Sequence, residues 1–316
     1  MPLKPQAGRP NGPPIEPVTT AMADTIERWT LGKTDCATLI PSLTFFRREA
    51  PARPVMCLVE PSIVVVVQGS KRMLVGGEAY PYDVSRFLLT TLDLPANSEV
   101  VDASPGQPCV GLVFKLDLRT VAELLAQGGL PFPREAPNDL GLGLGAVTES
   151  LLNPLKRLID LLDEPHAIPV LAPLIEREIH YRLLLSDQAA RMCHIAAIGS
   201  QGHRVTKAID WLKTHYAATL KLDELAAYVQ MSTSSLHQHF RQLTAMSPLQ
   251  YQKWLRLSEA RRLMLNEDKD AASASFAVGY ESPSQFSREY TRLFGVPPKR
   301  DIKALREQAT RPLMLG

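Results

Sequence analysis

Two short segments near the C-terminal end carry the side chains best placed for chemistry with a partner. Ser234, Ser235 and Gln238 lie at helical spacing in the first, and Ser284, Gln285 and Arg288 in the second. Hydroxyls, carboxamides and a guanidinium donate and accept hydrogen bonds but supply no acid–base pair, so the chemistry they suit is recognition. Arg288 is the sharpest case, because a guanidinium bonds bidentately to guanine O6 and N7; a phosphate contact or an internal pair with Glu281 or Glu289 is the lesser alternative. Arg241, Arg292, Lys299 and Arg300 stand close by in sequence and suit phosphate contacts, which add affinity without base preference. His237 borders the same face, whereas Arg261 and Arg262 read as structural.

Such side chains need a scaffold that repeats, and the sequence repeats. Residues 226–240 written above residues 276–290 place Ala227 on Ala277, Ser232 on Ser282, Ser234 on Ser284, Leu236 on Phe286 and Phe240 on Tyr290. The register continues through Leu243 with Leu293 and Pro248 with Pro298. Each copy predicts helix, tight turn, helix. Leu222, Leu225, Ala226 and Val229 form an apolar stripe, Gln230-Met231 is the turn, and Ser232 caps the next helix. In the second copy Gly279 takes the turn, Ser282 caps and Pro283 occupies the first helical position. Leu236, Phe240 and Leu243 point inward in one copy, as do Phe286, Tyr290 and Leu293 in the other, leaving polar outer faces. This is a tandem helix-turn-helix. A helix over residues 203–216, with Val205, Ala208, Ile209 and Leu212 inward, opens the module. A long helix over residues 248–265, with Tyr251, Trp254, Leu255, Ser258 and Leu263 inward, joins the copies. A rigid joining helix would let one chain enter two successive major grooves, roughly 34 Å apart.

The run Gly279-Tyr280-Glu281-Ser282-Pro283-Ser284-Gln285-Phe286-Ser287-Arg288, followed by Phe294-Gly295-Val296-Pro297-Pro298, resembles the signature of the AraC/XylS family of bacterial transcription regulators. The likeness covers residues 204–306. Tyr290 stands where that family often has Phe, and Lys299-Arg300-Asp301 replaces an aromatic that usually follows the prolines. The resemblance implies double-stranded promoter DNA and RNA polymerase as partners, and activation more often than repression.

Composition agrees with two domains. The chain has 316 residues, 45% hydrophobic and 22% charged, enough to bury sizeable cores. Its net charge of +2 is uneven: 17 Lys/Arg against 11 Asp/Glu from residue 200 onward give +6, and the remainder carries −4. The longest aliphatic run, residues 63–67, is too short to span a bilayer, and the Pro/Gly-rich residues 1–20 predict a disordered tail rather than a signal peptide. A cytoplasmic location follows. Cys36, Cys57, Cys109 and Cys193 are scattered, as suits reduced thiols.

Residues 21–29 predict a short helix with Ile26 and Trp29 inward. Strands are predicted at residues 44–46, 55–59, 63–68, 72–75, 86–91 and 110–115, with hairpin turns at Gly69-Ser70 and Gly76-Gly77. Glu60-Pro61-Ser62, Gln68-Gly69-Ser70-Lys71 and Tyr80-Pro81-Tyr82-Asp83 make this part resemble the cupin-like β-barrel domain of one branch of the same family. That resemblance implies a small-molecule effector whose identity and binding residues stay unassigned. Metal-dependent cupins need histidines in the barrel, and the first histidine here is His166, so no metal and no cofactor are expected. Residues 116–125 predict a helix, residues 128–145 a joint, and two amphipathic helices follow, carrying Val147 to Leu162 and Val170 to Leu183. They cover the barrel or form a homodimer contact. Residues 198–203 read as a linker.

The expected architecture is α+β with two domains. Residues 1–20 form a tail, 21–135 the cupin-like barrel, 136–198 a helical linker or dimerisation region, and 203–309 the all-α DNA-binding domain. The reading is a non-enzymatic transcription regulator. A cupin-type enzyme fused to a DNA-binding module is the alternative, while a DNA-repair methyltransferase lacks the cysteine cluster it would need. A barrel that only dimerises, with no ligand, and a cysteine acting as a thiol sensor are further readings.

Overall fold

The structure, a computed structural model, describes residues 15–130 and 140–310. The chain divides into two compact units, Met1–Ile198 and Gly199–Gly316. The first contains α1 (Glu16–Thr30), β1 (Asp35–Ala37), β2 (Leu43–Arg48), β3 (Ala52–Val59), β4 (Ser62–Gln68), β5 (Ser70–Val75), β6 (Glu78–Tyr82), β7 (Arg86–Thr90), β8 (Leu94–Asp102), β9 (Cys109–Lys115), α2 (Leu118–Ala126), β10 (Leu142–Ala146), α3 (Glu149–Asp160), α4 (Ile168–Leu184) and α5 (Ala189–Ala196). Of the tail expected over residues 1–20, residues 1–14 lie outside the described residues. Residues 16–20 begin α1, because Met22 and Ile26 are fully buried and draw the preceding turn into a helix.

The strands make two antiparallel sheets, ordered β1-β2-β9-β4-β7-β10 and β3-β8-β5-β6. This is a β-rich two-sheet domain rather than the closed barrel expected, since no ladder joins the sheets among the described residues. Gly69 is not a hairpin turn: it carries the chain from β4 in one sheet to β5 in the other. Its φ is +80° and an added Cβ would stand 2.6 Å from the Asp102 carbonyl, so only glycine passes there. Gly76 and Gly77, both at positive φ, do make the expected hairpin between β5 and β6. β1, β6, β8 and β10 escape the sequence reading. β10 falls where a joint was expected, because Gly143 and Gly145 hide a strand that pairs along all of β7.

β4 is buried on both faces. Ile63, Val65 and Val67 join a core with Met22 and Ile26 of α1, Leu151, Leu155 and Leu158 of α3, and Ile179 and Leu183 of α4. Each fully buried aliphatic side chain contributes about 1.5–3 kcal/mol. The helices of residues 149–184 thus complete the sheet's core. Inside this layer the buried His180 accepts from the Asp117 amide through Nε2 at 2.9 Å and donates through Nδ1 to the Glu176 carbonyl at 2.7 Å. Burial holds its pKa below the ordinary value.

The second unit is all helical: α6 (Gln201–His215), α7 (Leu222–Tyr228), α8 (Thr233–Thr244), α9 (Pro248–Asn266), α10 (Ala271–Ala277), α11 (Pro283–Phe294) and α12 (Pro298–Thr310). α6 begins inside the expected linker, because Ser200 accepts from the His203 amide and caps it.

Candidate nucleic-acid interface

The second helix of each copy starts at a serine cap. Ser232 accepts from the Ser235 amide at 3.2 Å and Ser282 from the Gln285 amide at 3.3 Å. Such caps contribute about 1 kcal/mol each and set the helix start. α8 turns Leu236, Phe240 and Leu243 into the core, and α11 buries Phe286 and Tyr290. Geometry then leaves Ser234, Gln238, Ser284, Gln285 and Arg288 exposed, with Ser235 half-buried beside the cap. Arg288 makes no ion pair or hydrogen bond among the described residues, so the internal pair with Glu281 or Glu289 is not formed. Arg241 and Arg292 lie exposed in the last turns of α8 and α11, and Lys299 and Arg300 in the first turn of α12.

The two copies are not in one register throughout. The left-handed turn residues Gln230 (φ 55°) and Gly279 (φ 86°) are 49 apart, whereas the caps Ser232 and Ser282 are 50 apart. α7 therefore ends at Tyr228 opposite Ala277, and the expected pairing of Ala227 with Ala277 is one residue out. The second turn holds one more residue, Glu281, since Met231 and Tyr280 donate alike to the Ala226 and Ser275 carbonyls just before it; the Tyr280 ring packs edge-on against Phe286 with centroids 5.4 Å apart. Gly279 is required twice over: besides its φ, an added Cβ would stand 2.0 Å from the Ala217 carbonyl.

The copies are tied to α9 by polar residues that periodicity does not reveal. Gln252, 2% exposed, donates to the carbonyls of Tyr216 and Ala218 at 3.1 and 2.8 Å. Arg256 donates to the Tyr216 carbonyl at 2.6 Å and to the Gly279 carbonyl at 3.0 Å, so one side chain ties the end of α6 to the turn of the second copy. Arg261, expected to be structural, holds Asp301 bidentately at 2.8 and 2.9 Å, and Tyr290 donates to the same carboxylate at 2.6 Å. The residue that departs from the familiar pattern after the prolines, Asp301, therefore ties α12 to α9 and α11. Glu289 accepts from Lys253 Nζ at 2.9 Å, Tyr280 Oη at 2.8 Å and Gln285 Nε2 at 3.2 Å. Burial works to raise its pKa, but these hydrogen bonds outweigh it and hold the carboxylate below its ordinary value. Each exposed polar side chain is thus mounted on a helix fixed at its start and along its length.

The sequence matches the AraC-type transcriptional regulator N-terminus over residues 39–191 and a helix-turn-helix domain over residues 225–304. The chain belongs to the AraC/XylS family of transcription regulators. Among its AraC/XylS relatives, the HTH-type transcriptional regulator ArgR of Pseudomonas aeruginosa is 27% identical over 147 residues, covering 46% of this chain and 45% of ArgR. The HTH-type transcriptional activator RhaS of Klebsiella pneumoniae is 31% identical over 104 residues, covering 33% and 37%. The chain spans about half the length of the curated relatives it matches. A lysine-to-alanine variant of apo ToxT from Vibrio cholerae aligns over 83% of this chain and 97% of its own with a TM-score of 0.52 at 12% identity, which shows a shared fold. Wild-type ToxT of the same organism, bound to an unsaturated fatty acid, aligns with a TM-score of 0.53 at 11% identity, over 83% of this chain and 93% of its own.

Among the described residues no helix is long and apolar enough to cross a membrane, and no group of three or more His, Cys, Asp or Glu is placed to hold a metal ion. Cys36, Cys109 and Cys193 are buried and Cys57 is half-buried. Burial pushes the Cys57 thiol up, and the Cys109 thiol up to about 11, away from the thiolate form that reactive sensing uses.

Proposed function

We propose that this chain is a sequence-specific regulator that binds promoter DNA through both helix-turn-helix copies and activates transcription by contact with RNA polymerase. The observation that carries this reading is the pair of capped helices, α8 and α11, held on one 19-residue helix, with Ser234, Gln238, Ser284, Gln285 and Arg288 exposed. Ser234, Ser235, Gln238, Ser284, Gln285 and Arg288 read base edges, and Arg241, Arg292, Lys299 and Arg300 hold phosphates. The first unit regulates this binding in response to a small molecule. It works in the cytoplasm and is not an enzyme.

Sequencing of genomic fragments captured by the purified protein tests the reading. It expects discrete sites carrying two short motifs about one helical turn apart. Diffuse, salt-sensitive capture alone would sink it.

A homodimer is the second element of the proposal. On α4, Val170, Leu174 and Tyr181 are 67%, 63% and 40% exposed and lie along one side, while Ile179 and Leu183 face the core. An apolar stripe on a helix whose other side is already packed fits a second copy of the same helix. Sedimentation equilibrium reads the oligomeric state directly, and a monomer at all concentrations overturns this part.

A further inference from the structure

Two recognition helices act as a pair only when their separation is fixed, and α9 alone does not fix it. α8 enters α9 through a tight joint, where Ala245 is left-handed and Ser247 and Gln250 close a reciprocal cap. The first copy is therefore set at the start of α9. The second copy packs on the far half, where Leu257, Ala260, Leu263 and Met264 share a core with Val278, Phe286 and Tyr290. Apolar packing has no direction, and packed helices slide past one another in small shears.

Arg256, in the middle of α9, lies half-buried at the seam where the copies meet. Its Nε donates to the Tyr216 carbonyl at 2.6 Å, and its Nη2 to the carbonyls of Ala217 and Ala218 at 3.2 and 2.9 Å. All three lie just beyond the end of α6, which packs against α7 and α8. Its Nη1 donates the other way, to the Gly279 carbonyl at 3.0 Å, just beyond the end of α10. Four carbonyls from two copies thus share one planar guanidinium. Helix C-termini carry partial negative charge, so the cation is held at two such ends at once. The Tyr280 ring adds a third hold, its centroid 5.7 Å from Cζ.

The seam has no slack. An added Cβ on Gly279 would stand 2.0 Å from the Ala217 carbonyl oxygen, so the backbones of the two copies already touch. That contact blocks movement together, and movement apart breaks the guanidinium's bonds. Gln252, one turn earlier on α9, does a different job. Its amide donates to the Tyr216 and Ala218 carbonyls, both on the first copy's side of the seam.

We propose that Arg256 is the positioning residue that sets the separation of the two recognition helices, and so the spacing of the two DNA motifs the chain accepts. Lysine cannot replace it, because an ammonium donates from one point while the four carbonyls surround a planar fork. Moving one motif by one base pair shifts it about 3.4 Å along the duplex and turns it by about a tenth of a turn. A pair held by Arg256 cannot follow that move; a pair freed from it can. The proposal rests on the reading that both copies enter DNA, and half of its test is made without DNA so that the two can fail separately.

The test uses the full chain. Spin labels at Ser234→Cys on α8 and Ser284→Cys on α11, with Cys57→Ser removing the half-buried thiol, report the helix separation by double electron–electron resonance in the absence of DNA. One narrow distance is expected. Arg256→Lys should widen it by about 3 Å or more, the rise of a base pair. Arg256→Gln, which keeps an amide for the first copy's carbonyls, should do the same. Gln252→Met loses two hydrogen bonds on the first copy's side and should leave the distance narrow. Unlabelled protein is then titrated on duplexes captured from the genome, with their two motifs at natural spacing and one base pair closer or farther apart. The wild type should prefer the natural spacing about tenfold or more. Arg256→Lys should lose most of that preference while keeping base preferences within each motif, and Gln252→Met should keep both. A broad distance in the wild type, a distance as narrow in Arg256→Lys, or a spacing preference that survives the substitution overturns the assignment. A wild type with one narrow distance and no preferred spacing overturns two-copy binding and the spacing half of the proposal, and the distances still decide whether Arg256 holds the helices.

Discussion

Gln285 donates through Nε2 to the Glu289 carboxylate at 3.2 Å, one turn further along α11. A carboxylate accepts only, so this contact decides which end of the Gln285 amide faces it and leaves Oε1 and the second N–H turned outward. That is the arrangement that reads adenine N6 and N7. Glu289 is itself fixed by Lys253 and Tyr280 and cannot follow Gln285 outward. Glu289→Gln, which can present either a donor or an acceptor to Gln285, should lower discrimination at one base pair by about 1–3 kcal/mol. Non-specific affinity should stay constant. Competition binding with operator variants changed one base pair at a time would check it, and a uniform loss across all variants would contradict it.

Arg288 and Lys299 should fail differently. Arg288→Ala should relax specificity at one position by about 1–3 kcal/mol, whereas Lys299→Ala should weaken all sequences alike and lower the salt slope of binding by about 1. Binding isotherms on specific and random duplexes at several salt concentrations separate the two.

Asp301 is 6% exposed and accepts from both Arg261 and Tyr290. Asp301→Ala leaves a guanidinium and a hydroxyl without their acceptor, and should destabilise the second unit by about 2 kcal/mol or more. Tyr290→Phe loses one hydrogen bond and should cost about 1 kcal/mol. Urea unfolding of the full chain, followed through helical signal, measures both. Equal small effects would mean that the carboxylate is not holding α12.

His180 sets a pH dependence in the first unit. Burial lowers its pKa in the folded chain, so the unfolded chain binds the proton first as pH falls. Stability contributed by the neutral ring is complete above the ordinary value of about 6.5 and is lost progressively below it, down to the lowered folded pKa. His180→Gln should flatten this dependence between about pH 7.5 and pH 5, at some cost in stability at neutral pH. An unchanged slope in the variant would assign the acid sensitivity to another group.

Much of the DNA-binding unit could be read from the chain alone, because its elements are local. A serine cap, a left-handed turn residue and an apolar stripe at helical spacing act within a dozen or so residues, and a repeat shows them twice. The exposed faces of α8 and α11 follow from the same periodicity. The one-residue slip between the turns was hidden, since Glu281 lengthens the second turn while both the cap and the inward residues keep their spacing.

What only the tertiary structure decided are contacts between residues far apart in sequence. β10 pairs with β7 across more than fifty residues, and glycine-rich Leu142–Ala146 has too little side chain to signal a strand. Gly69 looks like any hairpin glycine until β4 and β5 are found in different sheets. Glu289 reads from sequence only as a partner for Arg288, and spacing does not single out Arg256 or Asp301, because a charged residue's partner is chosen by packing. The facing of Lys71 with Tyr82 belongs here too: strand register sets it, and register depends on which strands meet. Short-range pattern determined what the helices are and which faces they show. Long-range pairing decided which polar groups are held.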